Sequence, residues 1–249
     1  MISVALATYN GAAHIAEQLH SILSQLGADD EVIVSDDGST DGTLAIVRQI
    51  AQQSATPFVI TANPGQHGYV GNFEHALGLA KGDYIFLSDQ DDVWLPTKVA
   101  TMLHALRDEH YDLCVSNASI TDASLHITHP DYFQARGVHT GLWGNLLKFG
   151  YLGCCIALTQ QQLRRSLPIP PRHHYATHDN WLFLTAQLMG RVKVIHEPLM
   201  LYRRHGDALT TGAFNAHKST AFRIEYRLYL IYQLCKRYLH ESLHRHRSL

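Results

Sequence analysis

The chain has few cysteines, no long hydrophobic run and almost no net charge. None of its four cysteines forms a CxxC pair, which argues against a cysteine-based zinc site and against the disulfide framework of a small secreted domain. The formal net charge of −2 gives no general attraction for nucleic acid, so we expect no nucleic-acid partner. An anionic ligand would need local cations or a metal ion.

The sequence also lacks the marks of a membrane-spanning or exported chain. It contains no run of about 18 apolar residues, and a strand pattern begins within the first residues, without a basic region or a cleavage site. We therefore expect a cytoplasmic chain with reduced thiols. Contact with the inner face of the cytoplasmic membrane would depend on the C-terminal segment.

Strand and helix patterns alternate along the first half of the chain. Strand-like apolar runs lie at 3–7, 31–35, 58–62 and 84–88, and the segments between them have helical spacing. Such alternation predicts an α/β fold with a parallel sheet covered by helices on both faces. After about residue 96 the pattern is less regular. There the sequence predicts helices at 98–110 and 180–189 and strands at 113–120 and 154–159.

Polar clusters follow three of the predicted strands. They are TYNG at 8–11, DDGSTDG at 36–42 and DQDD at 89–92. In an open parallel sheet, ligands bind beyond the carboxyl ends of the strands, where these clusters would meet. We therefore expect one shared crevice that contains the functional site.

The second cluster does not match a known calcium or phosphate loop. The twelfth position of a calcium loop should be a bidentate glutamate, and here it is Arg48. No lysine followed by Ser or Thr comes after the glycines, as a P-loop would require. Part of the cluster is expected to form a turn that caps the next helix. Asp36 and Asp37 are not needed for capping and can accept hydrogen bonds from a nucleobase or from ribose hydroxyls.

The third cluster places three carboxylates within four positions. If the extended conformation persists, Asp89 and Asp91 project to one side of the chain and Asp92 projects to the other. Two carboxylates on the same side of a strand end suit Mg²⁺ or Mn²⁺, which take their remaining ligands from water and substrate phosphates. The alternative is a solvated acidic turn before the helix that Pro96 would open.

Two later segments carry further candidate groups. Asp179 precedes an aromatic, apolar helix, where it is a candidate general base beside Trp181 or else the N-cap of that helix. Arg203, Arg204 and His205 follow a predicted strand. The arginines are candidates for phosphate contacts and His205 for a metal ligand, although one histidine among 18 is weak evidence by itself.

The segment 218–249 differs from the rest of the chain in charge. It contains seven Lys and Arg residues and two Glu residues, so it carries a net charge of +5, against −7 for the remainder. Its apolar residues near helical spacing are Phe222, Tyr226, Leu230, Leu234, Tyr238 and Leu239. This basic amphipathic pattern predicts either a helix that lies on an anionic membrane surface or a helix that packs on its own domain or on a partner.

Seven segments in this order resemble the family 2 glycosyltransferases with the GT-A fold. They are ATYNG, VSDDGSTDGT, NPGQHGYVGNF, FLSDQDDVWLPTK, GCCIAL, HDNWL and EPLMLYRRHG. Within that family the chain is similar to the rhamnosyltransferase-like branch, which builds bacterial surface polysaccharides. The resemblance implies a Rossmann-like, mostly parallel sheet flanked by helices over residues 1–212, in which 1–95 bind the nucleotide sugar and 96–212 form the acceptor and catalytic half. Residues 213–249 would be a C-terminal helical extension.

The resemblance also implies roles for individual positions. Those implied to contact the donor are Thr8, Tyr9, Asp36, Asp37, Asn63, Gly65, Gly71, Asn72, Asp89 and Arg204. Asp91 matches the principal metal ligand, with Asp89 toward the ribose and metal-bound water, and His205 matches a histidine that completes the metal shell. Asp179 matches the catalytic base, and 150–155 match the acceptor-side wall. His178 stands where many relatives have a glutamate.

The implied activity is an inverting, divalent-metal-dependent transfer of a sugar. The donor would be a nucleoside-diphosphate sugar, with dTDP-rhamnose suggested by the branch, and the acceptor a saccharide or a lipid-linked saccharide. Mg²⁺ or Mn²⁺ would be the cofactor. Two alternatives remain at the level of the sequence: a metal-dependent phosphohydrolase or nucleotidyltransferase that uses the same carboxylates, and a non-catalytic sugar-nucleotide-binding protein.

Overall fold

The computed structural model of the chain describes residues 1–204 and 219–247. Its strands are β1 (Ile2–Thr8), β2 (Glu31–Asp36), β3 (Phe58–Ala62), β4 (Tyr84–Ser88), β5 (Val93–Trp94), β6 (Leu113–Thr121), β7 (Ile127–His129), β8 (Ile156–Thr159) and β9 (Val192–Arg203). Its helices are α1 (Ile15–Leu23), α2 (Thr43–Gln53), α3 (Tyr69–Leu79), α4 (Lys98–Arg107), α5 (Tyr132–Arg136), α6 (Gly141–Leu147), α7 (Gln160–Ser166), α8 (His178–Met189) and α9 (Thr220–Arg247). A short 3-10 helix spans Gly153–Cys155.

The strands form one mostly parallel sheet in the order β3-β2-β1-β4-β8-β6-β9-β5, and β7 pairs with β6. Strands β1 to β4 are mutually parallel wherever they pair, whereas β8 is antiparallel to both β4 and β6. Strand β9 runs parallel to β6. The carboxyl ends of β1, β2, β4, β6 and β9 therefore lie at one edge of the sheet, as the sequence predicted for the first four strands.

Helices cover both faces of the sheet. Strand β2 is buried along its whole length, which is the burial pattern of a strand between two helical layers. The first three predicted helices are present, and α4 ends at Arg107, three residues before the predicted limit. The strand expected at 154–159 begins only at Ile156, because residues 153–155 form the 3-10 helix.

The C-terminal helix α9 packs against the domain through one of its faces. Leu230 and Leu234 are buried in a small apolar cluster with Trp181 and Leu184 of α8. The guanidinium of Arg237 donates to the Pro168 carbonyl at 2.6 Å and stacks over the Trp181 ring. For this face the interpretation as a helix packed on its own domain is therefore correct. The segment GDALTTG at 206–212, whose sequence predicts a linker, lies outside the described residues.

In the two described ranges, 1–204 and 219–247, no helix combines the length and the apolar character needed to cross a membrane. Helix α9 is long enough, but charged residues recur along it.

Candidate active site

The predicted crevice forms where β1, β2, β4 and β9 end. The loops after β1 and β4 are tied together by a pair of hydrogen bonds: the Tyr9 amide donates to Gln90 Oε1 at 2.8 Å, and Gln90 Nε2 donates to the Tyr9 carbonyl at 2.9 Å. The Tyr9 side chain is about half exposed. The clusters TYNG and DQDD thus lie side by side, as the sequence predicted.

Asp36 and Thr8 are buried and bonded to each other. Thr8 Oγ1 donates to Asp36 Oδ1 at 2.8 Å, and the carboxylate also accepts from the Ser39 hydroxyl at 2.6 Å and from the Ser39 and Gly38 amides. Both oxygens of Asp36 are therefore engaged within the protein. These contacts fix the turn after β2, so Asp36 and Thr8 shape the crevice.

Asp37 anchors the loop that follows β3. Its Oδ2 accepts from the Gly68 amide at 2.7 Å, and its Oδ1 accepts from Asn63 Nδ2 at 2.9 Å and lies 3.0 Å from His67 Nδ1. Asn63 Oδ1 in turn accepts from the Gly65 amide at 3.0 Å. The predicted donor-side positions Asp37, Asn63 and Gly65 are thus one hydrogen-bonded unit.

Gly71 and Asn72 lie in the first turn of helix α3, which follows that loop. A Cβ at Gly71 would lie 1.9 Å from the carbonyl oxygen of Gln66, so only glycine fits. Asn72 is buried, where it accepts from Ser35 Oγ at 2.6 Å and donates to the Thr8 carbonyl at 3.1 Å. A cavity of about 310 Å³ lies between this loop and residues 169–173.

Residues 89–92, which follow β4, are here called the acidic loop, and two of its side chains lie beside Cys154 of the 3-10 helix. One oxygen of Asp89, one oxygen of Asp92 and the sulfur of Cys154 all lie within 4.8 Å of one another. Strand parity placed Asp92 on the opposite side from Asp89, and that expectation is wrong. Strand β4 ends at Ser88, so the extended conformation on which the parity argument depends does not continue. Asp92 is buried, and its carboxylate lies beside that of Asp89, so it contributes negative charge to this cluster.

The acidic loop concentrates negative charge. Burial and the charge of Asp91 raise the pKa of Asp89 to about 7, and the same two causes hold the pKa of Asp92 well above its ordinary value. Among the described residues, Asp92 Oδ2 is a buried oxygen without a hydrogen-bond partner. A bound cation would supply that partner and offset the charge, so the acidic loop fits a divalent metal ion.

The donor atoms also fit the kind of metal predicted. Mg²⁺ and Mn²⁺ prefer carboxylate oxygens, which Asp89 and Asp92 bring together. Asp91, which the resemblance gives as the principal ligand, is not part of this group of side chains among the described residues, although its charge acts on both carboxylates. Cys154 is a softer ligand, and a hydrogen bond with Cys155 together with burial holds the pKa of its thiol well above the ordinary value. In the absence of a metal ion the thiol therefore stays protonated beside the carboxylates, and sulfur is a poorer ligand for these ions than carboxylate oxygen.

Lys98 is a component of the site that the sequence analysis missed. Its side chain is fully buried, with Nζ donating to the Cys154 carbonyl at 2.7 Å and lying 5.0 Å from the Trp94 ring centre. Its charge lowers the pKa of Asp89 and so opposes the effect of burial. One signal was available, because Lys98 precedes Met102 by four positions and therefore shares its apolar helical face.

The two arginines after β9 have different surroundings. Arg203 is buried: its amide donates to Asp92 Oδ1 at 3.0 Å, its Nε donates to the Asp91 carbonyl at 2.8 Å, and its Nη2 pairs with Glu17. The polar groups of Arg203 are thus bonded to the acidic loop and to Glu17. The expectation that Arg203 contacts phosphate is not supported. Arg204 is half-buried, with its amide bonded to the Thr121 carbonyl. His205 lies outside the described residues.

Asp179 is the second residue of α8, and the N-cap position belongs to Thr177. The interpretation of Asp179 as the N-cap is therefore wrong. Its Oδ1 accepts from the Thr177 hydroxyl and from the Asn180 amide at 2.8 Å. Its negative charge is one of the causes that raise the pKa of Asp89. Burial, and to a smaller extent the charge of Asp179, raise the pKa of Tyr69 to about 12. Asp179 is therefore electrostatically coupled to the acidic loop and to the start of α3.

His178 packs inside the protein beside Asp179. Its ring stacks on Phe73 with centroids 4.1 Å apart, and burial lowers its pKa, so it is neutral at neutral pH. A Cβ at Gly153 would lie 2.3 Å from His178 Nε2, so this glycine lets residues 153–155 approach α8. The acceptor-side segment and the first turn of α8 are therefore in direct contact.

Comparison with known proteins identifies a family match over most of the chain. The model of the family described as glycosyl transferase family 2 matches residues 3–184. An uncharacterized glycosyltransferase of Nostoc sp. is 26% identical over 82% of this chain and 65% of its own length. A dTDP-rhamnosyl transferase of Shigella flexneri, RfbG, is 29% identical over 80% of this chain and 71% of its own length. The Escherichia coli enzyme WfaP, a UDP-Glc:alpha-D-GlcNAc-diphosphoundecaprenol beta-1,3-glucosyltransferase, is 24% identical over 93% and 91%.

Solved structures resemble the chain in fold. Staphylococcus aureus TarS in complex with UDP-GlcNAc superposes with a TM-score of 0.65 at 18% identity, covering 92% of this chain and 71% of that chain. Glucosyl-3-phosphoglycerate synthase of Mycobacterium tuberculosis, in complex with Mn²⁺, UDP and phosphoglyceric acid, has a TM-score of 0.63 at 22% identity, covering 91% and 78%. At these identities the likeness concerns the fold, and it confirms the predicted mostly parallel GT-A sheet.

Proposed function

This chain belongs to glycosyl transferase family 2, and from that membership and the geometry of its crevice we propose that it transfers a sugar from a nucleoside-diphosphate donor with inversion of configuration. The acceptor would be a saccharide or a lipid-linked saccharide in the synthesis of a surface polysaccharide. The observation that carries the proposal is the arrangement of the carboxyl groups: Asp89 and Asp92 lie together in the acidic loop, and Asp179, in the first turn of α8, is close enough for its charge to act on Asp89.

The donor half of the proposed site comprises residues 1–95, and the acceptor and catalytic half comprises 96–212, with 213–249 as a helical extension. Tyr9 and the unit built on Asp37 would contact the nucleobase and ribose. Thr8, Asp36 and Asn72 hold these groups in place from below, since their polar atoms are bonded within the protein. The loop at 63–72 would cover the sugar nucleotide.

The carboxylates of Asp89, Asp91 and Asp92 would hold Mg²⁺ or Mn²⁺. His205 is proposed as a further ligand of the metal ion. When bound, such an ion neutralises the charge that develops on the departing diphosphate. Arg204 is proposed to contact the same phosphates, because Arg203 is already committed to the acidic loop. Lys98 keeps part of the acidic charge balanced from the protein side.

Asp179 would act as the general base. Within 1–204 and 219–247, the hydrogen bonds of its carboxylate fall on Oδ1, so we assign Oδ2 to the proton of the acceptor hydroxyl. The acceptor oxygen forms a bond to the anomeric carbon from the side opposite the diphosphate, while the bond from that carbon to the diphosphate oxygen breaks. The proton is then on Asp179, the negative charge is on the nucleoside diphosphate, and the configuration at the anomeric carbon is inverted.

Substitution of the base tests this proposal. Asp179→Asn keeps the hydrogen-bonding shape but cannot take the proton, so turnover should fall by about 10²–10⁴-fold. Binding of the donor, followed as Mn²⁺-dependent thermal stabilisation, should remain. Asp29→Asn, at an exposed aspartate, is the matched control and should keep full turnover. Unchanged turnover in Asp179→Asn would refute the assignment and would favour a non-catalytic binding protein.

The identity of the donor can be approached with a panel of UDP-, GDP- and dTDP-sugars. The donor that binds best should give the largest Mn²⁺-dependent thermal stabilisation, because a ligand that binds the native state raises apparent stability by mass action. RfbG makes dTDP-rhamnose a candidate, and WfaP makes UDP-glucose another. Release of phosphate from these compounds without an acceptor would instead favour a phosphohydrolase or nucleotidyltransferase.

A further inference from the structure

Helix α9 is apolar on two opposite faces. The face opposite the buried Leu230 and Leu234 is here called the outer face of α9. It consists of Ile224, Leu228, Ile231, Tyr232, Leu239 and Leu243, whose exposed fractions lie between 39% and 65%. These residues recur at spacings of three, four and seven, which places them on one stripe of the helix. Five large aliphatic side chains and a tyrosine therefore face away from the domain.

The exposed apolar surface continues onto α6. Trp143 and Leu147 are 72% and 60% exposed. Helices α6 and α9 are neighbours, because Arg227 Nη2 donates to the Leu147 carbonyl at 2.8 Å. Two separate elements thus contribute to one exposed apolar area, and an area of this extent indicates an interaction surface. A single stray apolar residue would not require that explanation.

Positive charge borders this area. Lys236 is exposed on α9 next to the outer face, and Lys148 is exposed directly after Leu147. Glu225 is an exposed acidic residue in this part of α9, and its Oε1 lies 3.5 Å from Arg172 Nη1. A second copy of the chain would bring a segment of net charge +5 against an identical one, so the charge disfavours self-association. An anionic surface would be attracted.

We propose that the outer face of α9, together with Trp143 and Leu147, binds the surface of an anionic phospholipid bilayer. A helix with an apolar stripe and cationic borders lies in the plane of the membrane interface. Tryptophan and tyrosine prefer that interface because their rings are amphipathic. The sequence alone suggested a membrane face that included Tyr226, Leu230 and Leu234, and the structure corrects that assignment because Leu230 and Leu234 are buried against the domain and Tyr226 packs beside them.

The inference goes beyond the proposed function, because binding to lipid requires neither donor nor acceptor. The proposed lipid-binding surface nevertheless lies close to the proposed active site. The face of α9 that carries Leu230 and Leu234 packs on Trp181 in the first turn of α8, the turn that contains Asp179. A bilayer on the outer face would then be separated from that turn by one helix, whose diameter is about 10 Å.

Flotation of the full-length protein with vesicles tests the proposal. We expect the protein to float with phosphatidylcholine vesicles that contain phosphatidylglycerol, and to float less with pure phosphatidylcholine or at high salt. The double variant with Leu228→Glu and Ile231→Glu should lower the bound fraction by about tenfold or more, since it removes apolar area and adds negative charge. Lys236→Glu should give a smaller loss.

Two controls make the result decisive. Ile127→Glu changes an exposed isoleucine on β7 that is outside the outer face of α9, and it should bind vesicles like the wild type. Thermal denaturation of each variant verifies that it is folded; the substituted side chains are exposed, so the fold should be retained. Asp179→Asn should bind vesicles normally while losing turnover, which separates failure of this inference from failure of the proposed function.

Three outcomes would overturn the proposal. The first is unchanged flotation of the double variant. The second is equal binding to vesicles with and without phosphatidylglycerol. The third is a lipid-free dimer in sedimentation equilibrium that the double variant dissociates, because the outer face would then be an interface between two copies of the chain.

Discussion

The backbone of Arg203 is hydrogen-bonded to the side chain of Asp92, with the Arg203 amide 3.0 Å from Asp92 Oδ1. Through this bond and the contact of its Nε with the Asp91 carbonyl, the end of β9 fixes the acidic loop that follows β4. The two segments are more than one hundred residues apart in sequence. These hydrogen bonds hold the proposed metal ligands at the edge of the sheet where β9 ends.

Replacement of Arg203 should therefore affect stability. Arg203→Lys loses the planar fork that reaches Asp91, Ala123 and Glu17 together, and we expect the free energy of unfolding to fall by about 2–4 kcal/mol. Urea denaturation measures this difference. Arg48→Lys, at an exposed arginine, should change it by less than about 0.5 kcal/mol. Equal stability of the two variants would show that the fork is not a structural element.

Substitution of Asp92 tests its part in metal binding. Asp92→Asn keeps an oxygen that can accept from the Arg203 amide but removes one negative charge beside Asp89. We expect Mn²⁺ affinity in the presence of UDP to fall by about tenfold, with little change in the free energy of unfolding. Isothermal titration calorimetry gives the affinity. If Asp92 only turned the chain, the affinity of Asp92→Asn for Mn²⁺ would equal that of the wild type.

Two glycines of α3 provide a matched pair. Gly71→Ala would place a Cβ 1.9 Å from the Gln66 carbonyl, so we expect a loss of about 1–3 kcal/mol and weaker donor binding. At Gly78 the described residues leave at least 4 Å of open space, so Gly78→Ala should stabilise the helix by about 0.5–1 kcal/mol. Thermal denaturation compares them. Tolerance of Gly71→Ala would mean that the loop at 63–70 adapts and that its present path is not required.

The raised pKa of Asp89 predicts a pH dependence of stability. An aspartate in the unfolded chain titrates near about 4, whereas burial and Asp91 raise the pKa of Asp89 to about 7 in the folded protein. Between these values the folded state holds a proton that the unfolded state has lost. Without metal, the contribution of Asp89 to stability is therefore fully present below about pH 4 and is lost as the pH rises through about 7.

Urea denaturation in EDTA at several pH values measures this dependence, and subtraction of Asp89→Asn removes the contributions of other groups. The difference between wild type and variant should fall with rising pH. Adding Mn²⁺ should reverse the trend, because the cation competes with the proton and binds more strongly as the pH approaches about 7. A pH-independent difference would show that Asp89 is ionised throughout this range.

The crevice could be predicted because it depends on strand order alone. Alternating strand and helix patterns imply parallel strands, and parallel strands bring residues such as Tyr9, Asp37 and Asp89 to one edge. The family motifs then named Asp179, which no periodicity would have distinguished from an N-cap. These assignments rest on local sequence and on order along the chain.

The errors have a common physical origin in contacts between distant segments. Asp92 was misplaced because the parity argument assumed an extended chain, whereas β9 pulls the loop inward through Arg203. Lys98 was missed because its partners are a backbone carbonyl and an aromatic ring, which leave no charge pattern in the sequence. The outer face of α9 was not recognised because both faces of the helix are apolar, so helical periodicity could not distinguish the exposed face from the packed one.

The antiparallel direction of β8 has a consequence for the acceptor side. Because β8 is antiparallel to β6, the chain reverses direction between them, and after the short strand β7 residues 130–155 lie outside the sheet until β8 begins at Ile156. Under the proposed function, this segment carries the implied acceptor-side wall and the exposed Trp143, and none of its residues belongs to β1 to β4. A change in its length or sequence would then alter which acceptor binds and leave the nucleotide-binding half of the proposed site unchanged.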